Sequence, residues 1–213
     1  MRQAALQRYY VDNDAAGARD LWRRQTDPPR DPLELAMAAD LEAEAGSDTA
    51  LPLIEQLRQY QPAEADTVLA TLRMRQSRFE DAAAALVSAF ARLRVDPWPQ
   101  MRFKQKALNL AAAVSAGQPA TSRRLFDALK EPFSVLAADT TRMVTRAELS
   151  VRFDFRGACQ EGIGGLEPHV PWTQAFLVMR RDCYQATSDP RLPDAVRDLD
   201  EFLSREPLPL APR

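Results

Sequence analysis

The sequence predicts an all-α fold, an α-solenoid of about six helix-turn-helix repeats, on three observations. Helix formers dominate: Ala supplies 35 of the 213 residues, and Leu, Arg, Glu and Gln fill much of the remainder. No apolar–polar alternation with hairpin punctuation marks a β-strand. Finally, an alanine recurs early in amphipathic stretches, at Ala18, Ala50, Ala82, Ala120, Ala158 and Ala195, with intervals of 32, 32, 38, 38 and 37 residues.

Each alanine follows one helical stretch and opens another, so each unit reads as a helix, a turn and a second helix. A small side chain there lets the two helices approach closely, where a larger one would wedge them apart. Ala82 is expected to be such a packing position and its neighbour Ala83 the more exposed one. Ser47 or Asp48 can cap the second helix of unit two, with Pro52 in its tolerated first turn. Gln118-Pro119 and Asp189-Pro190 mark helix starts in units four and six. Between units the chain is stopped at Asp27-Pro28-Pro29, Gln61-Pro62, Asp96-Pro97, Glu131-Pro132, Pro168-His169-Val170-Pro171 and Glu206-Pro207. Residues 1–204 are therefore expected to form one domain, and residues 205–213, rich in proline, a disordered tail.

Composition narrows the function. Lys plus Arg number 28 against 30 Asp plus Glu, a net charge of −2, which gives no reason to expect nucleic acid as a partner. No run of 18 apolar residues can span a bilayer, and the N-terminus has no signal-peptide pattern. Cys159 and Cys183 are too few for a disulfide framework and read as reduced, buried thiols of a cytoplasmic protein. One histidine and seven glycines leave little for metal sites or phosphate loops, and no cofactor is expected. The Gly162-Ile163-Gly164-Gly165 stretch lacks the preceding strand and the Lys-Ser/Thr ending of a phosphate loop, and suggests a broken second helix. No nucleophile–base pairing is visible, so the chain by itself does not read as an enzyme.

The unit from Ala63 to Pro97 carries Leu69-Ala70, then Phe79, Ala82, Leu86 and Ala89. Unit two carries Met37-Ala38, Ala50, Ile54, Leu57 and Pro62 at corresponding offsets. On these residues the chain resembles the tetratricopeptide-repeat (TPR) α-solenoids, a resemblance that implies a right-handed superhelix with the first helices of successive units lining its concave side. It departs from that pattern in placing Arg73 where the family usually has tyrosine. Arg124 and Gly162 hold the large apolar position four residues after their alanines, with Leu125 and Ile163 one step later. The strings DPWPQMRFKQKALNLA, SRRLFDALKEPFSV and LEPHVPW also resemble the helical-repeat tail of bacterial spermidine synthase-like proteins. That narrower resemblance would make this chain a C-terminal accessory domain, truncated from its catalytic domain.

Charge is unevenly spread along the chain. Residues 31–66 carry nine acids and one Arg, a net of −8, whereas residues 67–156 carry fifteen bases and eight acids, a net of +7. Solvated helix surfaces account for such a pattern, and so does a basic groove. Arg102, Lys106 and Asn109 share one face of the first helix of unit four. Arg142 with Arg146 and Arg180 with Tyr184 repeat the spacing in units five and six, and Arg75 ends the first helix of unit three. Turned inward, these eight side chains would bind a protein or an acidic peptide segment. Lys106 and Asn109 match the residue types of the carboxylate clamps in the TPR family. Trp98 and Trp172 each follow a proline and are expected to staple one unit to the next. The expected role is thus a non-catalytic interaction scaffold, in which reversing the charges of Arg102 and Arg142 should weaken binding without unfolding the chain.

Overall fold

The computed structural model describes residues 1–205, whose regular secondary structure is entirely helical, with no strand among them. Helix α1 (Arg2–Leu6) runs on as a π-helical turn (Gln7–Val11) and is followed by α2 (Ala15–Trp22), α3 (Pro32–Glu44), α4 (Ala50–Arg58), α5 (Pro62–Arg75) and α6 (Phe79–Leu93). Then come α7 (Met101–Val114), α8 (Pro119–Ala128), α9 (Asp139–Phe153), α10 (Ala158–Gly164), α11 (Gln174–Thr187) and α12 (Leu192–Arg205). The expected tail lies outside the described residues except for Arg205, which ends α12.

Successive helices touch as six pairs, α1 with α2 through to α11 with α12, although α8 lies chiefly against α9 and α6 and only lightly against α7. The first helices α3, α5, α7 and α9 also touch one another in series, and α6 touches α8. The core follows the chain accordingly. Tyr9, Ala18, Met37 and Leu41 join the first two pairs, and a second cluster links Ala50 and Ile54 to Val68, Leu72 and Phe103. A third runs from Ala63 through Leu86, Phe90 and Leu125 to Leu149, and the last joins Ala147 and Ile163 to Tyr184 and Ala195.

The paired turns share one backbone device. Asn13, Gly46, Ser77, Gly117 and Ser188 all adopt positive φ between the two helices of pairs one, two, three, four and six. At Gly46 the following N–H, from Ser47, donates back to Glu42 O at 3.1 Å, closing the end of α3. Ser77 does the same without glycine's freedom, with Arg78 N–H donating to Arg73 O at 2.8 Å. Pair five departs from the scheme: the Asp154 carboxylate instead accepts the N–H groups of Arg156, Gly157 and Ala158. Pro32, Pro62 and Pro119 each occupy the first turn of a helix, so Pro62 starts α5 as much as it ends what precedes it.

Ala18, Ala50, Ala82 and Ala195 are buried without remainder. Ala120 is exposed and Ala158 half-buried, because α8 and α10 turn a face shifted by one residue toward the core. There Thr121 with Leu125, and Cys159 with Ile163, take the roles that Ala50 with Ile54 and Ala82 with Leu86 take elsewhere. Gly162 belongs to that shifted face as well. A Cβ on it would lie 2.9 Å from Ser150 Oγ and 3.0 Å from the Ala147 Cα, so glycine is what lets α10 approach α9.

Three expectations are corrected. Cys159 and Cys183 are joined by a disulfide that ties α10 to α11 across 24 residues, rather than standing as reduced thiols. Their pairing removes the basis for a cytoplasmic assignment; what stands is that no helix of the described residues is long and apolar enough to cross a membrane. The Trp98 side chain is exposed (88% for the residue) and staples nothing, its backbone N–H donating to Asp96 Oδ1 in an inter-pair turn, while Trp172 meets Phe202 edge-on at 6.5 Å. Ala83 is as buried as Ala82, since both lie on the wide apolar face of α6.

Three substitutions check this packing in urea melts. Ala82→Leu is expected to cost about 1–3 kcal/mol through overpacking, whereas Ala84→Leu, at an exposed position of the same helix, stays within about 0.5 kcal/mol of wild type. Gly162→Ala gains about 1 kcal/mol of helix propensity yet is expected to destabilise by about 1–3 kcal/mol, because the added methyl presses on backbone as well as on Ser150.

Candidate functional site

A cleft of about 600 Å³ opens where α2, α3, α5 and α7 converge, lined by Asn13, Ala15, Ala16, Arg19, Asp40, Glu44, Arg75, Arg102, Gln105, Lys106 and Asn109. Four of the eight predicted groove residues meet here: Arg75, Arg102, Lys106 and Asn109. They meet because α7 returns to the first two pairs, as the separations of 66 residues between Lys106 and Asp40 and 89 between Arg102 and Asn13 record.

The floor of the cleft is a chain of alternating charge. Asp40 is 2% exposed and accepts the Tyr9 hydroxyl at 2.5 Å together with the Lys106 ammonium. Lys106 Nζ also lies 2.7 Å from Glu44 Oε1, and the far side of that carboxylate accepts Arg75 Nε at 2.9 Å. Burial alone would raise the Glu44 pKa, but Lys106 and Arg75 outweigh it and hold the carboxyl below its ordinary value. Burial pushes the Tyr9 hydroxyl upward, and the Asp40 charge adds to that shift, so the phenol stays protonated and donates. The acidic stretch 31–66 and the basic stretch 67–156 thus neutralise each other across α3, α5 and α7, which is where much of the charge asymmetry goes.

Two cations of the cleft stand outside this chain. Arg102 donates from Nη1 to Asn13 Oδ1 at 2.9 Å, with its guanidinium 4.0 Å from the centre of the Tyr9 ring. Arg19 donates from Nη2 to Leu41 O at 2.8 Å, and its buried Nε has no acceptor. Neither has a carboxylate within ion-pair distance among the described residues. Gln105 and Asn109 bond to each other at 3.1 Å on the rim.

Arg142, Arg146, Arg180 and Tyr184 lie elsewhere and are buried. Arg142 bonds to Asp139 at 2.6 Å and to the carbonyls that end α8, and Arg146 reaches Phe126 O at 3.2 Å and Glu161. Arg180 joins Glu167 at 2.8 Å to Asp198 at 2.6 Å, while Tyr184 donates to Glu167 at 2.7 Å. The four-residue spacing did place each pair on one helix face, but that face is turned toward neighbouring helices, not toward an opening. Reversing Arg142 would therefore strike the framework itself. Of the seven cleft residues absent from the sequence reading, three are charged: Arg19, Asp40 and Glu44. Asp40 carried a signal, an acid set within the apolar run Met37–Leu41.

Comparison of the chain with protein-family models, with curated proteins and with solved structures finds no match in any of the three. Among the described residues, no group of three or more His, Cys, Asp or Glu is placed to hold a metal ion.

Because the Lys106 ammonium serves two carboxylates and one of them is buried, Lys106→Met is expected to cost about 3 kcal/mol by leaving Asp40 uncompensated. Arg75→Met, at a half-exposed position, should cost no more than about 1 kcal/mol. Glu44 has a folded pKa below its ordinary 4.5, so its contribution is complete above that pH and is lost as pH falls through the folded value. Thermal melts between pH 3 and 7 should show this acid loss in wild type and a shallower one in Lys106→Met.

Proposed function

We propose that the chain is a non-catalytic interaction module, a TPR-like α-solenoid of six units in a right-handed superhelix whose concave side is the cleft described above. The serial contacts α3–α5–α7–α9 support the stacking of first helices. The approach of α7 to Asn13 and Tyr9 supports a curvature tight enough to give that stack an inner side. The observation that carries the functional reading is the cleft itself: an opening of about 600 Å³ between helices, walled by side chains that mix cations, carboxylates and amides. Such a wall suits an extended segment of a protein partner, whose backbone finds donors and acceptors in Asn13, Gln105 and Asn109 while its side chains meet the charges. Balanced charge on the floor argues against a polyanion such as nucleic acid as the occupant. Among the described residues nothing favours the narrower reading as the tail of a spermidine synthase-like protein.

Ala16 is exposed on the wall of the cleft and takes no part in the charge chain, so Ala16→Trp fills the opening without disturbing the floor. Proteins recovered with the wild-type chain should be lost with this variant, while its melting curve stays unchanged. Recovery of the same partners by Ala16→Trp would place the binding surface outside the cleft.

A further inference from the structure

The last helix pair is joined to the stack differently from the others. The first helices touch in series from α3 to α9, and there the series ends: α11 meets the rest of the molecule chiefly through α10, and α12 chiefly through α11. Helix α10 is a narrow bridge of seven residues, with Gly162 and Gly164 inside it and Gly157 and Gly165 at its ends, a composition of low helix propensity. The polar bonds of pair six are mostly its own. Arg180 joins Asp198 on α12 to Glu167 in the segment leading into α11, and Tyr184 donates to the same Glu167. Arg191 pairs with Asp189 in the α11–α12 turn. Among the described residues one side-chain hydrogen bond crosses the joint between α10 and the last pair, from Gln160 Nε2 to Asp189 Oδ2 at 3.0 Å, beside an apolar cluster that includes Ile163, Leu166, Phe176 and Tyr184. The Cys159–Cys183 disulfide lies on this same joint, with both cysteines fully buried. The covalent tie thus sits where the stack has fewest other ties.

We propose that the Cys159–Cys183 bond is a redox latch that holds pair six on the stack as a disulfide and releases it when a dithiol reduces the bond. A thiolate of the dithiol attacks one sulfur, and the S–S bond breaks to leave a mixed disulfide and one cysteine thiolate, which takes a proton. The second thiol of the reagent then displaces the other cysteine and closes its own disulfide, so that both cysteines end as thiols and the dithiol carries the oxidation. Because the two sulfurs are buried, attack waits for a transient separation of α10 from α11, which breaks a single side-chain hydrogen bond. Once the cross-link is gone, the open form regains its chain freedom, and the balance moves toward it roughly 100-fold. Opening uncovers Ile163 on one side of the joint and Phe176 and Tyr184 on the other. No residue of pairs five and six lines the cleft, so the latch works independently of what the cleft binds.

Hydrogen exchange followed by mass spectrometry on the intact chain, with and without dithiothreitol, tests the latch. Alkylation of a quenched sample reports in parallel whether the two cysteines are thiols. In the reduced chain the amides of α11 and α12 should exchange roughly 100-fold faster than in the oxidised one, while those of α3, α5 and α7 keep their rates. Removing dithiothreitol and adding oxidised glutathione should restore the slow exchange. The double variant Cys159→Ala/Cys183→Ala should match the reduced wild type and ignore the reagent, which separates the effect of the bond from any other action of dithiothreitol. If that variant does not fold, reduced wild type still gives the comparison. Three results would each overturn the proposal: a disulfide that dithiothreitol leaves intact in the folded chain, protection of α11 and α12 that is the same in both redox forms, or a loss of protection spread equally over α3 to α12. None of the three bears on the cleft, which the partner assay with Ala16→Trp decides separately.

Discussion

Asp40 is the residue on which the first four helix pairs depend. It sits inside α3, accepts a hydroxyl from the first pair and an ammonium from the fourth, and is almost entirely removed from water. A carboxylate in that position is costly unless its bonds are complete. Completing them requires α7 to return toward α1 and α3, and that return is what opens the cleft and sets Arg102 above Tyr9. Lys106 extends the same logic to Glu44 and, through it, to Arg75 on α5. Packing of small residues lets helices come close; this buried charge decides which helices those are.

The helical architecture was legible in the sequence because it rests on local chemistry. Ala50 with Ile54 and Ala82 with Leu86 announce their faces by spacing alone, and proline marks the breaks between pairs. Where the register slips by one residue, in α8 and α10, alanine ceases to be diagnostic, since Thr121 and Cys159 fill the same space. Ser77 and Ser188 were invisible as turn residues, because serine gives no hint of the positive φ that glycine at 46 and 117 suggests.

The cleft was half legible for a different reason. Helical spacing tells which side chains share a face, as it does for Arg102, Lys106 and Asn109, but not what the face meets. Arg142, Arg146 and Arg180 satisfy the same spacing and are consumed by Asp139, Glu161, Glu167 and Asp198. The disulfide was missed on the same ground: two cysteines 24 residues apart become neighbours only when α10 and α11 are placed together. Lys104 is a further case, a buried lysine whose pKa is lowered by desolvation and whose ammonium holds the α8–α9 connection at Val135 O.

The long reach of α7 also sets how the molecule shares its stability. A stack held only by nearest neighbours opens from its ends, each unit exchanging with the solvent on its own account. Here α7 is bonded to the first, second and third pairs at once, through Asn13, Asp40 and the packing against α5. The first four pairs therefore behave as one cooperative block, in which amide protons of α3, α5 and α7 exchange together. Pair five is joined to that block as well, since Arg142 and Arg146 bond to carbonyls at the end of α8 and Leu149 shares the core of α6 and α8, and the disulfide between α10 and α11 then ties pair six to it.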